Sequence, residues 1–96
     1  MSDLDIQLDK PSGKFEAVVE GERCVLEFSL EEIGKVISMD HVRVPKAVGG
    51  RGIAGKLTRH ALDWASEQDL KVRPRCPYVA NWIKRHPEFQ ALLVQS

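Results

Sequence analysis

The chain reads as a single α+β domain over residues 1–96: a mostly antiparallel sheet, then a glycine loop leading into a helix, a final strand and a C-terminal helix. Three observations give this class. The first half alternates apolar and polar residues with a period of two, the pattern of strands that bury one face. After the glycines of Val48 to Leu57, "VGGRGIAGKL", the apolar residues change to helical spacing. Between that helix and a second helical pattern lies one short extended run ending in proline.

The elements follow in order. Leu4 to Leu8 is a candidate strand, set off from the next by the turn cluster Pro11-Ser12-Gly13. Phe15, Ala17 and Val19 alternate with Lys14, Glu16 and Glu20; Cys24, Leu26, Phe28 and Leu30 alternate with Arg23, Glu27 and Ser29. Gly21 between the two runs marks a hairpin. Val36 to Val44 carries Val36, Ile37, Met39, Val42 and Val44 on both faces, as an interior strand covered on both sides would, and Pro45 ends it. Ile53, Leu57, Ala61, Trp64 and Ala65 predict one amphipathic helix from about Gly52 to Gln68. Leu70 to Pro74 is a short strand. Pro77 opens a second helix with Tyr78, Val79, Trp82 and Ile83, His86-Pro87 breaks it, and Phe89, Leu92 and Leu93 form a last apolar turn.

Composition narrows the partners. Fourteen Lys+Arg balance 14 Asp+Glu, so no global basic field favours nucleic acid. No apolar stretch approaches the roughly 20 residues of a membrane helix, and neither end carries a signal-peptide pattern; the expectation is a cytoplasmic protein without a membrane partner. Cys24 and Cys76 lie far apart with no second ligand pair, so neither a disulfide framework nor a metal site is implied.

The glycine loop nearly spells the triphosphate-binding motif G-x-x-x-x-G-K-[ST] from Gly50 to Lys56, but Leu57 stands where the magnesium-ligating hydroxyl belongs and Thr58 comes one residue late. Too little chain follows to supply the later strands that chemistry needs. The physical content of the loop survives: glycines at a strand-to-helix junction let amide groups converge on an anion beside the positive end of the helix dipole. The alternative is a turn that merely lets the helix pack close to the sheet.

With these elements in this order, the chain resembles the GNAT superfamily of acyl-CoA N-acyltransferases, whose signature is Q/R-x-x-G-x-G/A. Gly49-Gly50-Arg51-Gly52-Ile53-Ala54 matches its second half and lacks the leading Gln or Arg at Gly49. "DHVRVPKAVGGRGIAGKLTRHALDWA" followed by "LKVRPRCPYVANWIKRHPEF" is similar to the short single-domain GNAT-like acetyltransferases, with Cys-Pro-[YF] after the last strand and His-Pro-Glu near the end; the resemblance spans roughly residues 14 to 94. It implies a minimal GNAT-like fold and acetyl-CoA (coenzyme A) as the bound substrate. The backbone of Val48, Gly49, Gly50, Arg51, Gly52, Ile53 and Ala54 would cradle the pyrophosphate, and the strand His41, Val42, Arg43, Val44 would bind the pantetheine through main-chain groups. That strand and the last one would splay apart to admit the thioester. Asn81 is a candidate contact to the pantetheine.

Acyl transfer from a thioester needs an acceptor nucleophile, a route for its proton and donors for the oxyanion. Cys76, before a proline favoured at the first helical position, is expected at the N-cap, where the dipole favours thiolate, the more so if Arg73 and Arg75 turn toward it. It is equally readable as a small apolar residue closing a strand. The tyrosine that protonates the leaving thiolate in many superfamily members is replaced here by Ile83; Tyr78 is the candidate substitute, against a packing role. His41 is a candidate general base that Asp40, adjacent on the strand and expected on the opposite face, would not orient. His60 is expected on the outer face of the long helix, His86 at the turn before Pro87, and Trp64 and Trp82 in core stripes. Arg73, Arg75, Lys84 and Arg85 read either as a draw for an acidic acceptor or the 3′-phosphate, or as a solvated face.

The leading functional expectation is an N-acetyltransferase acting on an unidentified amine, with a protein or peptide amine as the candidate since no extra N-terminal helices cover the acceptor side. A non-catalytic acyl-CoA-binding module is the alternative, and an interaction domain whose loop only packs is a third. Oligomeric state is left open by the sequence.

Overall fold

The computed structural model describes residues 4–94. Five strands form one sheet in sequential order: β1 (Gln7–Asp9), β2 (Lys14–Val19), β3 (Glu22–Glu31), β4 (Val36–Arg43) and β5 (Lys71–Pro74). The first four are antiparallel neighbours, while β5 runs parallel to β4 after a crossover through helix α1 (Ile53–Glu67). Helix α2 (Pro77–Lys84) and a 3-10 helix (Pro87–Leu92) complete the chain. The α+β class is as the sequence predicts.

Local chemistry explains most boundaries. The β2–β3 hairpin turns through Glu20 (φ 51°) and Gly21 (φ 79°), both left-handed as a two-residue primed turn requires. Helix α1 buries Ile53, Leu57, Thr58, Ala61, Leu62 and Ala65 along one face. It stops when Asp69 turns left-handed (φ 58°), so that the Leu70 amide donates to the Ala65 carbonyl at 2.8 Å and the Asp69 amide to Ser66 at 3.2 Å. Cys76 is the N-cap of α2 and Pro77 its first residue, as expected. His86 Nδ1 donates to the Trp82 carbonyl (2.7 Å), and its ring stacks on the Trp82 ring at 3.6 Å, which fixes the turn before Pro87.

Inward residues of β2 to β5, both helices and Phe89 make one core, with Phe15, Leu26, Ile37, Met39, Leu57, Leu62, Val72 and Val79 fully buried. Each large apolar side chain so buried contributes about 1.5–3 kcal/mol. Cys24 lies in this core, and burial pushes its thiol pKa up. The other face of the sheet is polar, laced by ion pairs such as Arg23 to Glu16 (2.8 Å) and Arg73 to Glu31 (2.8 Å).

Two expectations change in detail. The first strand is shorter and later than Leu4 to Leu8, starting at Gln7, because only three residues find partners on β2. Strand β4 is buried on both faces only from Val36 to Met39; from Asp40 onward exposure alternates. The change coincides with a bulge, where Phe28 pairs with Met39 but Glu27 with His41, leaving Asp40 as the extra residue. No helix among the described residues is long and apolar enough to cross a membrane.

Candidate functional site

The bulge sits where β4 and β5 part. Their pairing runs from Val36↔Lys71 to Met39↔Pro74 and ends there, whereas β4 stays paired to β3 as far as Val25↔Arg43. The amides of Arg75 and Cys76 both donate to the Met39 carbonyl, at 3.1 and 3.0 Å. That double bond is the vertex of a fork. Beyond it the β5 side of β4, residues Asp40 to Arg43, has no strand partner among the described residues, and the chain after β5 turns away into α2. Parallel strands are normally buried and fully paired, so a strand edge opened inside the sheet leaves main-chain donors and acceptors for a guest.

The glycine loop follows β4 at the same end. A short 3-10 helix, Lys46–Val48, leads into it with Val48 buried. Gly50 and Gly52 are left-handed (φ 77° and 75°), and a Cβ on either would meet no atom within 4 Å. Those positions need glycine for the backbone and open onto free space. Gly52 is the N-cap of α1, with no side-chain cap and no acidic residue in the first turn. The leading amides of α1 are therefore left to bind something negative.

Arg51 does not point its charge into that space. Its guanidinium makes a bidentate pair with Glu20 (2.7 and 3.2 Å), tying the loop to the β2–β3 turn. The pairing lowers the Glu20 pKa, first through the hydrogen bond to Arg51 and then through its charge. Any anion at this loop would be held by the backbone rather than by the Arg51 side chain.

Around the fork, Cys76 is 7% exposed and part of the core, at the start of α2, where again neither a side-chain cap nor an acidic residue competes for the amides. Arg73 and Arg75 do not turn toward it. Arg73 binds Glu31 at 2.8 Å and Glu32 at 3.3 Å, and Arg75 binds Ser38 at 3.0 Å and Glu31 at 3.3 Å, because two carboxylates across the sheet outcompete a buried thiol for guanidinium. The hydrogen bond from Arg73, more than that from Arg75, holds the Glu31 carboxyl below its usual range.

His41 is exposed on β4 beyond the fork. Asp40 does not orient it, though for a reason other than strict alternation: its carboxylate accepts from Ser38 (2.5 Å) and Ser29 (3.1 Å). Tyr78 is 38% exposed, and its hydroxyl lies 3.4 Å from where a Cβ on Gly55 would be, beside the first turn of α1. Asn81 is exposed on α2, and Ile83, where the resemblance places the family's tyrosine, is core at 1% exposure. His60 is exposed, with its ring edge-on to Phe15 at 5.5 Å.

Sequence reasoning passed over Asp40, Ser29 and Ser38 as a connected group, and Gly55. A glycine at the third position of a helix costs about 1 kcal/mol against alanine and was a usable signal. Two grooves lie elsewhere: one of ≈ 400 Å³ between Leu4, Ile6 and the outer face of α1, and an apolar one of ≈ 360 Å³ between Pro74, Ile83 and Leu93, which meets the end of the β4–β5 ladder at Pro74. Neither is lined by the loop or by Asp40 to Arg43.

The family model described as GCN5-related N-acetyl-transferase matches residues 14–92. The chain is similar to Protein NATD1 of Gallus gallus, 34% identical over 87 residues that cover 88% of this chain and 77% of that protein. To Protein NATD1 of Homo sapiens it is 35% identical over 87 residues, covering 88% and 75%. A GCN5-like protein of Staphylococcus aureus solved by NMR superposes with a TM-score of 0.72 at 21% identity, covering 100% of this chain and 93% of the other, a likeness of fold.

Proposed function

The chain belongs to the GCN5-related N-acetyltransferase family, and from that premise we propose that it binds acetyl-CoA in the β4–β5 fork and transfers the acetyl group to an amine. The observation that carries this reading is the end of β4–β5 pairing at Met39↔Pro74, with the glycine loop and the N-terminus of α2 both opening at that end. The pantetheine would add to the vacant edge of β4 as a strand does, through main-chain groups of His41 to Val44, while the amides from Val48 to Ala54 receive the pyrophosphate. Gly50 and Gly52 fit that task, since any side chain there would occupy the space the phosphates need.

In this pose the thioester lies near the fork vertex, where Cys76 is the nucleophile the chain offers. In a covalent route the Cys76 Sγ bonds to the acetyl carbon as the bond to the coenzyme sulfur breaks. The coenzyme thiolate leaves with the thiol's proton, and the acceptor amine then displaces the acetyl group to regenerate the thiol. In the direct route the amine attacks the thioester without that intermediate. The uncovered polar face of the sheet suits an acceptor presented on a peptide or protein surface.

A second reading, an acyl-CoA-binding module without turnover, is favoured by one observation: Ile83 is buried where a proton donor for the leaving thiolate would stand. Intact-mass measurement after incubation with acetyl-CoA separates the routes. The covalent route gives a single hydroxylamine-labile acetyl adduct that is absent in Cys76→Ala, while coenzyme A affinity in that variant stays within about tenfold. Binding without an adduct removes Cys76 from the nucleophile role. Binding without coenzyme release in the presence of amines leaves the non-catalytic module.

A further inference from the structure

The polar face of the sheet carries, at the fork, a carboxylate that the chain leaves without a cation. Glu16, Glu27 and Glu31 on that face pair with Arg23, Arg43 and Arg73 at 2.8, 3.8 and 2.8 Å. Asp40, the bulge residue one position past the vertex, has no such partner among the described residues. It receives two hydroxyls instead, Ser38 on one oxygen (2.5 Å) and Ser29 on the other (3.1 Å). The direction of this network is fixed, because Arg75 Nε can only donate: Ser38 Oγ accepts from it at 3.0 Å and turns its own proton to Asp40. The far end of Arg75 is taken by Glu31 at 3.3 Å. Ser38 is fully buried while Asp40 is partly exposed, so the carboxylate is anchored from below and open to solvent above. A carboxylate has about four lone-pair sites, and one hydroxyl on each oxygen leaves room on each for an N–H donor.

Resting on the coenzyme A reading above, we propose that Asp40 binds the acceptor: its carboxylate holds the ammonium group of an aliphatic primary amine at the fork, on the face opposite Cys76. The core side is closed to an acceptor, since Cys76, Val79 and Ile83 are packed there. An alkylammonium brings a full charge and several N–H donors to that carboxylate, whereas an aromatic amine is uncharged at neutral pH and an alcohol brings one weaker donor. Asp40 is a binding residue and not the base. The ammonium gives one proton to solvent at the open face. The bond from its nitrogen to the acetyl carbon then forms as the carbon–sulfur bond breaks, and the nitrogen's next proton goes to the departing sulfur.

The test is an amide NMR titration of the isotope-labelled full chain, with and without coenzyme A, using n-butylammonium chloride and, separately, n-butanol as its neutral counterpart. Butylammonium moves the amides of Ser29, Ser38, Asp40 and His41, and butanol does not. In Asp40→Asn butylammonium binds about tenfold more weakly, the lower range for a hydrogen bond to a charged group, while coenzyme A affinity is unchanged. Should Asp40→Asn fail to fold, the wild-type contrast between butylammonium and butanol at those amides decides. Equal responses to the two probes, no response to butylammonium, or full butylammonium affinity in a folded Asp40→Asn overturns the assignment. Coenzyme A binding that Gly52→Glu abolishes then leaves the fork reading intact. A chain that binds butylammonium at Asp40 but no coenzyme A overturns the coenzyme reading and, with it, the acceptor role.

Discussion

The two ends of the β4–β5 pair are built in opposite ways. At one end Val36 and Ser38 are buried, four ladder positions are paired, and Glu31 gathers Arg73 and Arg75 above them. At the other the ladder stops, a bulge displaces Asp40, and two helix N-termini are left uncapped. The closed end satisfies its polar groups within the chain. The open end leaves donors unsatisfied: Gly52 is left-handed (φ 75°), outside the extended backbone of a side-chain cap, and at Cys76, which is extended, a Ser, Thr or Asp would cap α2 and typically add about 1 kcal/mol. Stability and binding are thus assigned to different ends of one strand pair, and substitutions should separate them.

The largest effect is expected at the open end. Gly52→Glu places a carboxylate against the phosphates and should weaken coenzyme A binding by about hundredfold or more, or about 2.8 kcal/mol. The left-handed backbone at that position adds about 1 kcal/mol of destabilisation, small enough to leave the domain folded. Calorimetry and a thermal melt report the two effects separately; retained affinity would contradict the loop assignment.

Glu31→Gln addresses the closed end and should lower the melting temperature with coenzyme A affinity unchanged. Because Arg73 depresses the Glu31 pKa in the folded state, this stabilisation is present above the ordinary carboxylate range. It is lost as pH falls through the depressed value, so the gap between wild type and variant closes in acid. A gap that persists or widens in acid would mean that the carboxylate's charge is not what holds the arginines.

A smaller effect lies farthest from the fork, in the β3–β4 turn. Glu32, Ile33 and Gly34 are all left-handed there, and Ile33 is 100% exposed, a conformation costly for a β-branched residue with no packing in return. Ile33→Asn should stabilise the domain by about 1 kcal/mol and leave binding untouched, as denaturant unfolding would show. A loss of stability would give Ile33 a role the structure does not display.

What was legible in the sequence was local. The Glu20-Gly21 hairpin, the glycine loop and the Cys76-Pro77 helix start each depend on residues a few positions apart, and each lies where the residue pattern puts it. The partners of Arg73 and Arg75 were not legible, because Glu31 lies 42 and 44 positions away and only the assembled sheet brings it near. The bulge at Asp40 escaped for a similar reason: an extra residue is defined by the neighbouring strand's register, and the alternating pattern of β4 alone does not show it. Gly55 carried a signal, a helix-breaking residue in a helix, but its meaning came from Trp82 and Tyr78 on another element. The glycines and the fork residues were named from the chain itself and from its resemblance; their juxtaposition is the contribution of the fold.

We expect acetyl-CoA to occupy the open end. An amide NMR titration of the isotope-labelled chain with acetyl-CoA tests it most directly. Resonances of His41 to Val44, Val48 to Gly55 and Cys76 should move while those of Glu31 to Lys35 at the closed end stay. Shifts confined to the closed end, or to the groove beside Leu4 and Ile6, would contradict it, as would a spectrum that does not change at all.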